Sequence, residues 1–174
     1  MLTEDGKHLY VSYDEYNNLI EKLAIKIHQS GWEFDTILCL ARGGMRPGDV
    51  LSRIFDKPLA IMSTSSYRSE GGTVQGHLDI ARYITTPQGD IAGRVLLVDD
   101  LADSGHTLSA VMDLLKNNYA PITELRSAVI WTKGVSGFTP DFSVEYLPTN
   151  PWIHQPFEAY DTMRPLQLLE KWRV

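Results

Sequence analysis

Two adjacent carboxylates, Asp99 and Asp100, directly follow the unbroken apolar run Val95-Leu96-Leu97-Val98 and stand just ahead of Ser104-Gly105-His106-Thr107. Paired acids at a strand end suit the vicinal hydroxyls of a sugar, or a hydrated Mg²⁺. A short loop of small and hydroxyl residues at a helix start suits phosphate, because the first helical N–H groups are unpaired and the dipole is positive there. Gly105 permits close backbone approach, and the hydroxyls of Ser104 and Thr107 can donate to phosphate oxygens or cap the helix. Any three-residue fragment of this stretch reads equally well as a solvated turn and an N-cap. Strand, acids, glycine and hydroxyls in one order point instead to a ligand with sugar hydroxyls and phosphate side by side.

Other stretches offer complementary chemistry. Ala41-Arg42-Gly43-Gly44-Met45-Arg46-Pro47-Gly48 follows a second apolar run, Thr36 to Ala41. Gly43 and Gly44 can expose backbone amides, and Arg42 or Arg46 can meet phosphate oxygens with a guanidinium fork; an ordinary glycine turn is the alternative. Lys133, just after a strand, is a three-proton donor suited to a carbonyl oxygen, and the indole of Trp152 suits stacking on a heteroaromatic ring. A solvated lysine, and a tryptophan that anchors the tail beside Pro151, are the structural alternatives. Ser63 through Gly76 is a polar stretch that holds Ser65-Ser66-Tyr67 and Gly71-Gly72 and has no clear period, so it reads as a mobile loop.

These residues need elements to hold them. Ser12-Tyr13-Asp14-Glu15 has capping-box spacing, and Ile20, Leu23, Ala24 and Ile27 recur at helical intervals until Gly31. Thr36–Ala41 predicts a strand, with Val50, Leu51, Ile54 and Phe55 as the inner face of the following helix. Leu59-Ala60-Ile61-Met62 predicts another strand. Val95–Val98 predicts a strand buried on both faces, followed by a helix lined by Leu108, Val111, Met112 and Leu115. Arg126–Trp131 and Phe142–Tyr146 supply two later strands, separated by the turn-rich Gly134 to Pro140. The alternation predicts one α/β domain over residues 1–174, a mostly parallel sheet with helices on both faces, whose ligands bind beyond the carboxyl ends of the strands. The stretch from Pro148 to Pro165 keeps large aromatics and reads as packed.

Composition narrows the function. The chain has 174 residues, 16 Lys+Arg against 22 Asp+Glu and a formal charge of -6, which gives no pull toward nucleic acid or anionic membrane. The single cysteine, Cys39, lies in an apolar run, as suits a reducing compartment. No apolar run approaches the ~20 residues that span a bilayer, and the first residues lack a basic leader, so the expected location is the cytoplasm.

The string from Val95 to Thr107 closely resembles the phosphoribosyl pyrophosphate signature of the type I phosphoribosyltransferases. The resemblance extends over roughly Thr36 to Glu158, and Lys133 with Trp152-Ile153-His154-Gln155-Pro156-Phe157-Glu158 is similar to the 6-oxopurine branch. It implies the type I fold, with a small hood formed by terminal segments, and an Mg²⁺-dependent purine phosphoribosyltransferase working in purine salvage. It implies that Asp99 and Asp100 hold the ribose hydroxyls and, with Glu158, the metal. Ser104, Gly105, His106 and Thr107 would bind the 5′-phosphate, and Arg42 with Gly43 the pyrophosphate. Ser66 and Tyr67 would belong to a flexible catalytic loop. Lys133 would donate to purine O6, Trp152 would stack on the base, and the backbone of Ile153 would meet the exocyclic position. Asp103 would act as general base or proton partner at purine N7.

The chain departs from the branch where His154 stands for an acid, Glu158 for an aspartate and Gly134 for a frequent proline, which leaves the preferred base open. A phosphoribosyltransferase for another base is the alternative within the class. A non-catalytic sensor of phosphoribosyl pyrophosphate or nucleotide is the alternative outside it, disfavoured by the acidic charge and the lack of a spare domain. A phospho-receiver domain would place its acidic pair on the first strand, and here two strands precede Asp99. The expected partners are phosphoribosyl pyrophosphate and a purine base, with no nucleic acid and no membrane, and the family implies a homo-oligomer.

Overall fold

A computed structural model describes residues 1–66, 78–81, 83–87 and 89–173. In chain order the elements are β1 (His8–Tyr10), α1 (Tyr13–Gln29), β2 (Thr36–Ala41), α2 (Met45–Phe55), β3 (Leu59–Ser66), β4 (Leu78–Ile80) and β5 (Gly93–Val98). There follow β6 (Leu101–Ala102), α3 (His106–Asn118), β7 (Ile122–Lys133), β8 (Phe142–Leu147), β9 (Trp152–His154), α4 (Ala159–Thr162) and α5 (Pro165–Trp172).

Local chemistry sets the helix ends. Glu15 N–H donates to Ser12 Oγ at 3.2 Å while Ser12 N–H donates to Glu15 Oε2 at 2.8 Å, closing the capping box of α1. Tyr16, Ile20, Leu23, Ala24 and Ile27 form its buried stripe, and Gly31, at φ 70°, turns the chain away. In α2, Leu51 is fully buried and Val50 and Phe55 pack against the core, but Ile54 is 50% exposed, which corrects its expected inner position. At ~100° per residue Ile54 lies between Val50 and Leu51 around the helix, so its angle alone does not expose it; the packing that covers those two does not reach this position in the last turn of α2.

The main sheet runs β4-β3-β2-β5-β7, and only the β3–β4 pair is antiparallel. β5 and β6 pair in succession along one edge of β7, and β8 takes the other edge. Alternate strand residues face opposite layers. Ile37, Leu96, Val98, Ala128 and Ile130 pack with α1 and Leu51 of α2, whereas Leu38, Leu40, Val95, Leu97 and Val129 pack with α3. Helices thus cover both faces, as the alternation of elements implies. Because β2, β5 and β7 are parallel, their carboxyl ends share one edge, the usual ligand edge of an open α/β sheet.

The terminal segments make the hood over that edge. β1 pairs in parallel with β9, His8 opposite Trp152, Leu9 opposite Ile153 and Tyr10 opposite His154. Ile153 and Leu9 point into the core and hold this small sheet in place. The tail is packed only in part: Phe157 meets Tyr16 edge-on, but α5 has no buried residue. Among the described residues, no helix is long and apolar enough to cross a membrane.

Candidate active site

The ladder of β5 and β7 continues into the acidic pair: Asp99 N–H donates to Ala128 O at 3.1 Å, and Ile130 N–H donates to Asp100 O at 3.0 Å. Asp100 N–H in turn donates to Asp99 Oδ1 at 3.0 Å, so the backbone aims both carboxylates beyond the strand end. Gly43 closes over them; a Cβ there would lie 2.5 Å from Asp100 Oδ1 and 3.0 Å from Asp99 Oδ1. Burial, reinforced by the charge of Asp100, pushes the Asp99 carboxyl well above the usual range, against a stabilising contact from the Gly44 N–H. Burial also raises Asp100, opposed by hydrogen bonds that its carboxylate accepts from Gln155 and from the Asp99 carboxyl. Both carboxylates line the cleft and can take up a cation or hydroxyl donors there.

Gln155 is a site residue that sequence reasoning missed: its Nε2 donates to Asp100 Oδ2. Among the described residues, the buried Gln155 Oε1 and Tyr16 hydroxyl have no hydrogen-bond partner. Burial, followed by the charge of Asp100, pushes the Tyr16 phenol far upward, so its hydroxyl keeps its proton.

Beyond the acids, the loop is fixed from outside. Gly105 has φ 80°, and a Cβ on it would lie 2.5 Å from Phe138 Cβ and 2.7 Å from Phe138 N. Gly137 N–H donates to Ser104 O at 2.9 Å, tying the turn after Lys133 to the same loop. His106 N–H donates to Ser104 Oγ at 3.3 Å, but α3 has no side-chain cap on its helix-start residue Gly105. The first turn of α3, with Thr107, borders the cleft and has the donors that an anion requires.

At the other end, Lys133 Nζ lies 3.1 Å from Asp103 Oδ1. Lys133 is only 6% exposed, which rules out a solvated surface lysine. Trp152 is half exposed and lines the cleft; its Nε1 donates to Glu158 Oε1 at 2.6 Å. Glu158 Oε2 lies 2.7 Å from His154 Nδ1, so both oxygens of this expected metal ligand are engaged with protein groups. Of the two arginines after β2, Arg42 lines the cleft and reaches Asp161 at 3.6 Å, whereas Arg46 lies over the Phe157 ring at 4.2 Å. β3 runs on through Ser66, where Thr64, Ser65 and Ser66 pair with β4, so the first residues of the expected loop, 63–66, are strand; Tyr67 lies outside the described residues.

The cleft encloses about 380 Å³ and brings together Arg42, Gly43, the acidic pair, the 103–107 loop, Lys133, Trp152 and Ile153. Its lining combines the amides and hydroxyls at the start of α3, the paired acids, the Lys133–Asp103 ion pair, buried on the lysine side and partly exposed on the acid side, and the Trp152 indole.

Comparison with known proteins gives this arrangement a family. The phosphoribosyl transferase domain model matches residues 12–162. The xanthine-guanine phosphoribosyltransferase of Ruegeria sp. (strain TM1040) is 26% identical over 96% of the chain and 92% of its own length. The crystal structure of a purine phosphoribosyltransferase from Pyrococcus horikoshii Ot3 matches with a TM-score of 0.72 and 29% identity, over 91% of this chain and 99% of that one. The xanthine-guanine-hypoxanthine phosphoribosyltransferase of Helicobacter pylori matches with a TM-score of 0.73 and 25% identity, over 94% and 99%. A family match across residues 12–162, on the fold these relatives share, makes the chain a type I phosphoribosyltransferase.

Proposed function

We propose that the protein transfers the 5-phosphoribosyl group from phosphoribosyl pyrophosphate to N9 of a 6-oxopurine, releasing pyrophosphate. The observation that carries this reading is the Lys133–Asp103 pair, a donor and an acceptor 3.1 Å apart inside the cleft. A 6-oxopurine presents the complementary pair, the O6 acceptor beside an N7–H donor. Adenine puts a donor at position 6, where Lys133 has nothing to offer it, and a buried polar mismatch of that kind discriminates strongly.

In this reading the ribose hydroxyls meet Asp99 and Asp100, and the 5′-phosphate meets the amides and hydroxyls of Ser104, Gly105, His106 and Thr107. Arg42 and Gly43 face the pyrophosphate, Trp152 stacks on the base, and the Ile153 backbone meets the purine 2-position. The C1′–O bond to pyrophosphate breaks, and the oxygen keeps the electron pair. The C1′–N9 bond forms, and Asp103 takes the N7 proton. Two adjacent half-buried carboxylates with raised proton affinity suit a hydrated Mg²⁺, which would neutralise the leaving pyrophosphate when bound.

The test is a panel in which phosphoribosyl pyrophosphate and Mg²⁺ are mixed with guanine, xanthine, hypoxanthine, adenine, orotate or uracil, and nucleotide and pyrophosphate are quantified. Product with one or more 6-oxopurines and none with adenine is expected. Asp103→Asn should then lower kcat by ~10²–10⁴ with little change in KM. Product with adenine or a pyrimidine alone overturns the base assignment, and binding without turnover on every base makes the protein a ligand sensor.

A further inference from the structure

The hood contains a hydrogen-bonded chain that the transfer reaction does not itself use. His8 Nδ1 lies 3.0 Å from His154 Nε2, His154 Nδ1 lies 2.7 Å from Glu158 Oε2, and Glu158 Oε1 accepts from Trp152 Nε1 at 2.6 Å. The parallel pairing of β1 and β9 explains the juxtaposition. His8, Tyr10, Trp152 and His154 share one face of the two-stranded sheet, and Leu9 and Ile153 take the other, in the core. The Tyr10 ring lies flat on His154, with centroids 4.2 Å apart and 6° between the planes, so the imidazole is held on its face as well as on both nitrogens.

The proton pattern follows from the acceptors. A carboxylate only accepts, so His154 carries its proton on Nδ1 toward Glu158. A neutral His154 then offers a lone pair at Nε2, and His8 must donate to it from Nδ1. If His154 is an imidazolium, the same contact runs the other way. Either way one proton lies between the rings, and His8 completes the coordination of His154. Asp5 is the acid that faces His8 from the turn before β1.

We propose that Glu158, His154 and His8 are positioning residues for Trp152: the chain locks the indole in the plane on which the base stacks, so the base-binding strength depends on His8. Trp152 is 49% exposed, and its Nε1 contact with Glu158 fixes the edge of the ring. Without that contact, binding a base would require ordering the indole, whereas the Glu158 contact orders it in advance. The inference rests on the 6-oxopurine reading for its effect on KM, but the locking of Trp152 stands or falls without any base.

The experiment compares the full chain with His8→Ala, His8→Asn and Glu158→Gln. The asparagine amide lies where Nδ1 does and keeps the donor, and glutamine keeps the shape of Glu158 while replacing an acceptor with a donor toward His154. In the absence of ligand, the Trp152 contribution to fluorescence anisotropy is taken as the difference from a Trp152→Phe control in each background. His8→Ala and Glu158→Gln should lower that contribution, and His8→Asn should restore it. In the transferase assay, His8→Ala should raise the base KM about three- to tenfold with kcat and the phosphoribosyl pyrophosphate KM within about twofold, and His8→Asn should return the KM toward the parent value. Unchanged Trp152 anisotropy in both His8→Ala and Glu158→Gln overturns the relay. So does a base KM unaffected by His8→Ala. If His8→Ala unfolds, Glu158→Gln decides the anisotropy arm alone. If no 6-oxopurine reacts, the proposed function fails while the anisotropy arm still decides the relay.

Discussion

At the scale of the residue, the acidic pair carries the clearest conflict between stability and use. Asp99 and Asp100 sit together, half-buried at the cleft, and Asp99 is raised first by desolvation and then by its neighbour's charge. A carboxyl whose folded pKa exceeds its unfolded value binds more protons when folded, so its penalty is absent below the unfolded pKa and grows as pH rises through the folded one. Asp99→Asn should therefore raise the Tm of the ligand-free protein at neutral pH by about 2–4 °C, the shift that ~1 kcal/mol produces in a chain of this size, while abolishing transfer. The gain should shrink as the pH falls toward the ordinary carboxylate range near ~4. Thermal melts of both proteins across that range check it; a gain independent of pH would point to a cause other than buried charge. Much of this scale was legible in the sequence, because Asp99 to Thr107 is contiguous and each residue type has a defined use at a strand-to-helix turn. Gln155 and His8 were not. Their partners lie 55 and 146 positions away, and a lone amide or imidazole has no spacing to betray it.

At the scale of the element, the phosphate loop depends on a neighbour as much as on its own residues. Gly105 sits at φ 80° against Phe138, and Gly137 holds Ser104 from the same turn. Gly105→Ala must strain its backbone and push Phe138 away, an overpacking that typically costs ~1–3 kcal/mol. Urea unfolding should show that loss, and calorimetric titration should show weaker binding of phosphoribosyl pyrophosphate; unchanged values in both would mean that the loop does not need its present shape. The long elements were readable because their apolar periods run over several turns or pleats. β1, β6 and β9 have three, two and three residues, too few to display any period, and only tertiary pairing makes them strands. Ile54 shows the opposite limit: it fits the helical spacing and lies between Val50 and Leu51 around α2, yet the core does not extend over this last-turn position.

At the scale of the whole molecule, the parallel strands gather their carboxyl ends at one edge and put the most protected residues in the middle. Cys39 is the example, fully buried on β2 with its thiol pushed up to about 11 by burial. A Cβ at Gly48 of α2 would come within 2.6 Å of Cys39 Cβ, so helix and strand touch there without a gap. The thiol should resist alkylation in the native protein and react at a rate that follows global unfolding. Stopped labelling with mass detection across a urea series measures it, and fast modification in native buffer would show local opening at β2. A mostly parallel sheet with helices on both faces was legible from the alternation of apolar runs; the strand order and the antiparallel β4 were not.

The pairing of the first strand with the last has a consequence for the chain as it is made. His8 leaves the ribosome 146 residues before His154, which at ~5–20 residues per second is a delay of roughly 7–30 s. From the moment β5 emerges, roughly 55 residues before His154, β2, β3 and β5 have one another, so the sugar-phosphate half of the site can assemble on the nascent chain while the base half waits for the final thirty or so residues.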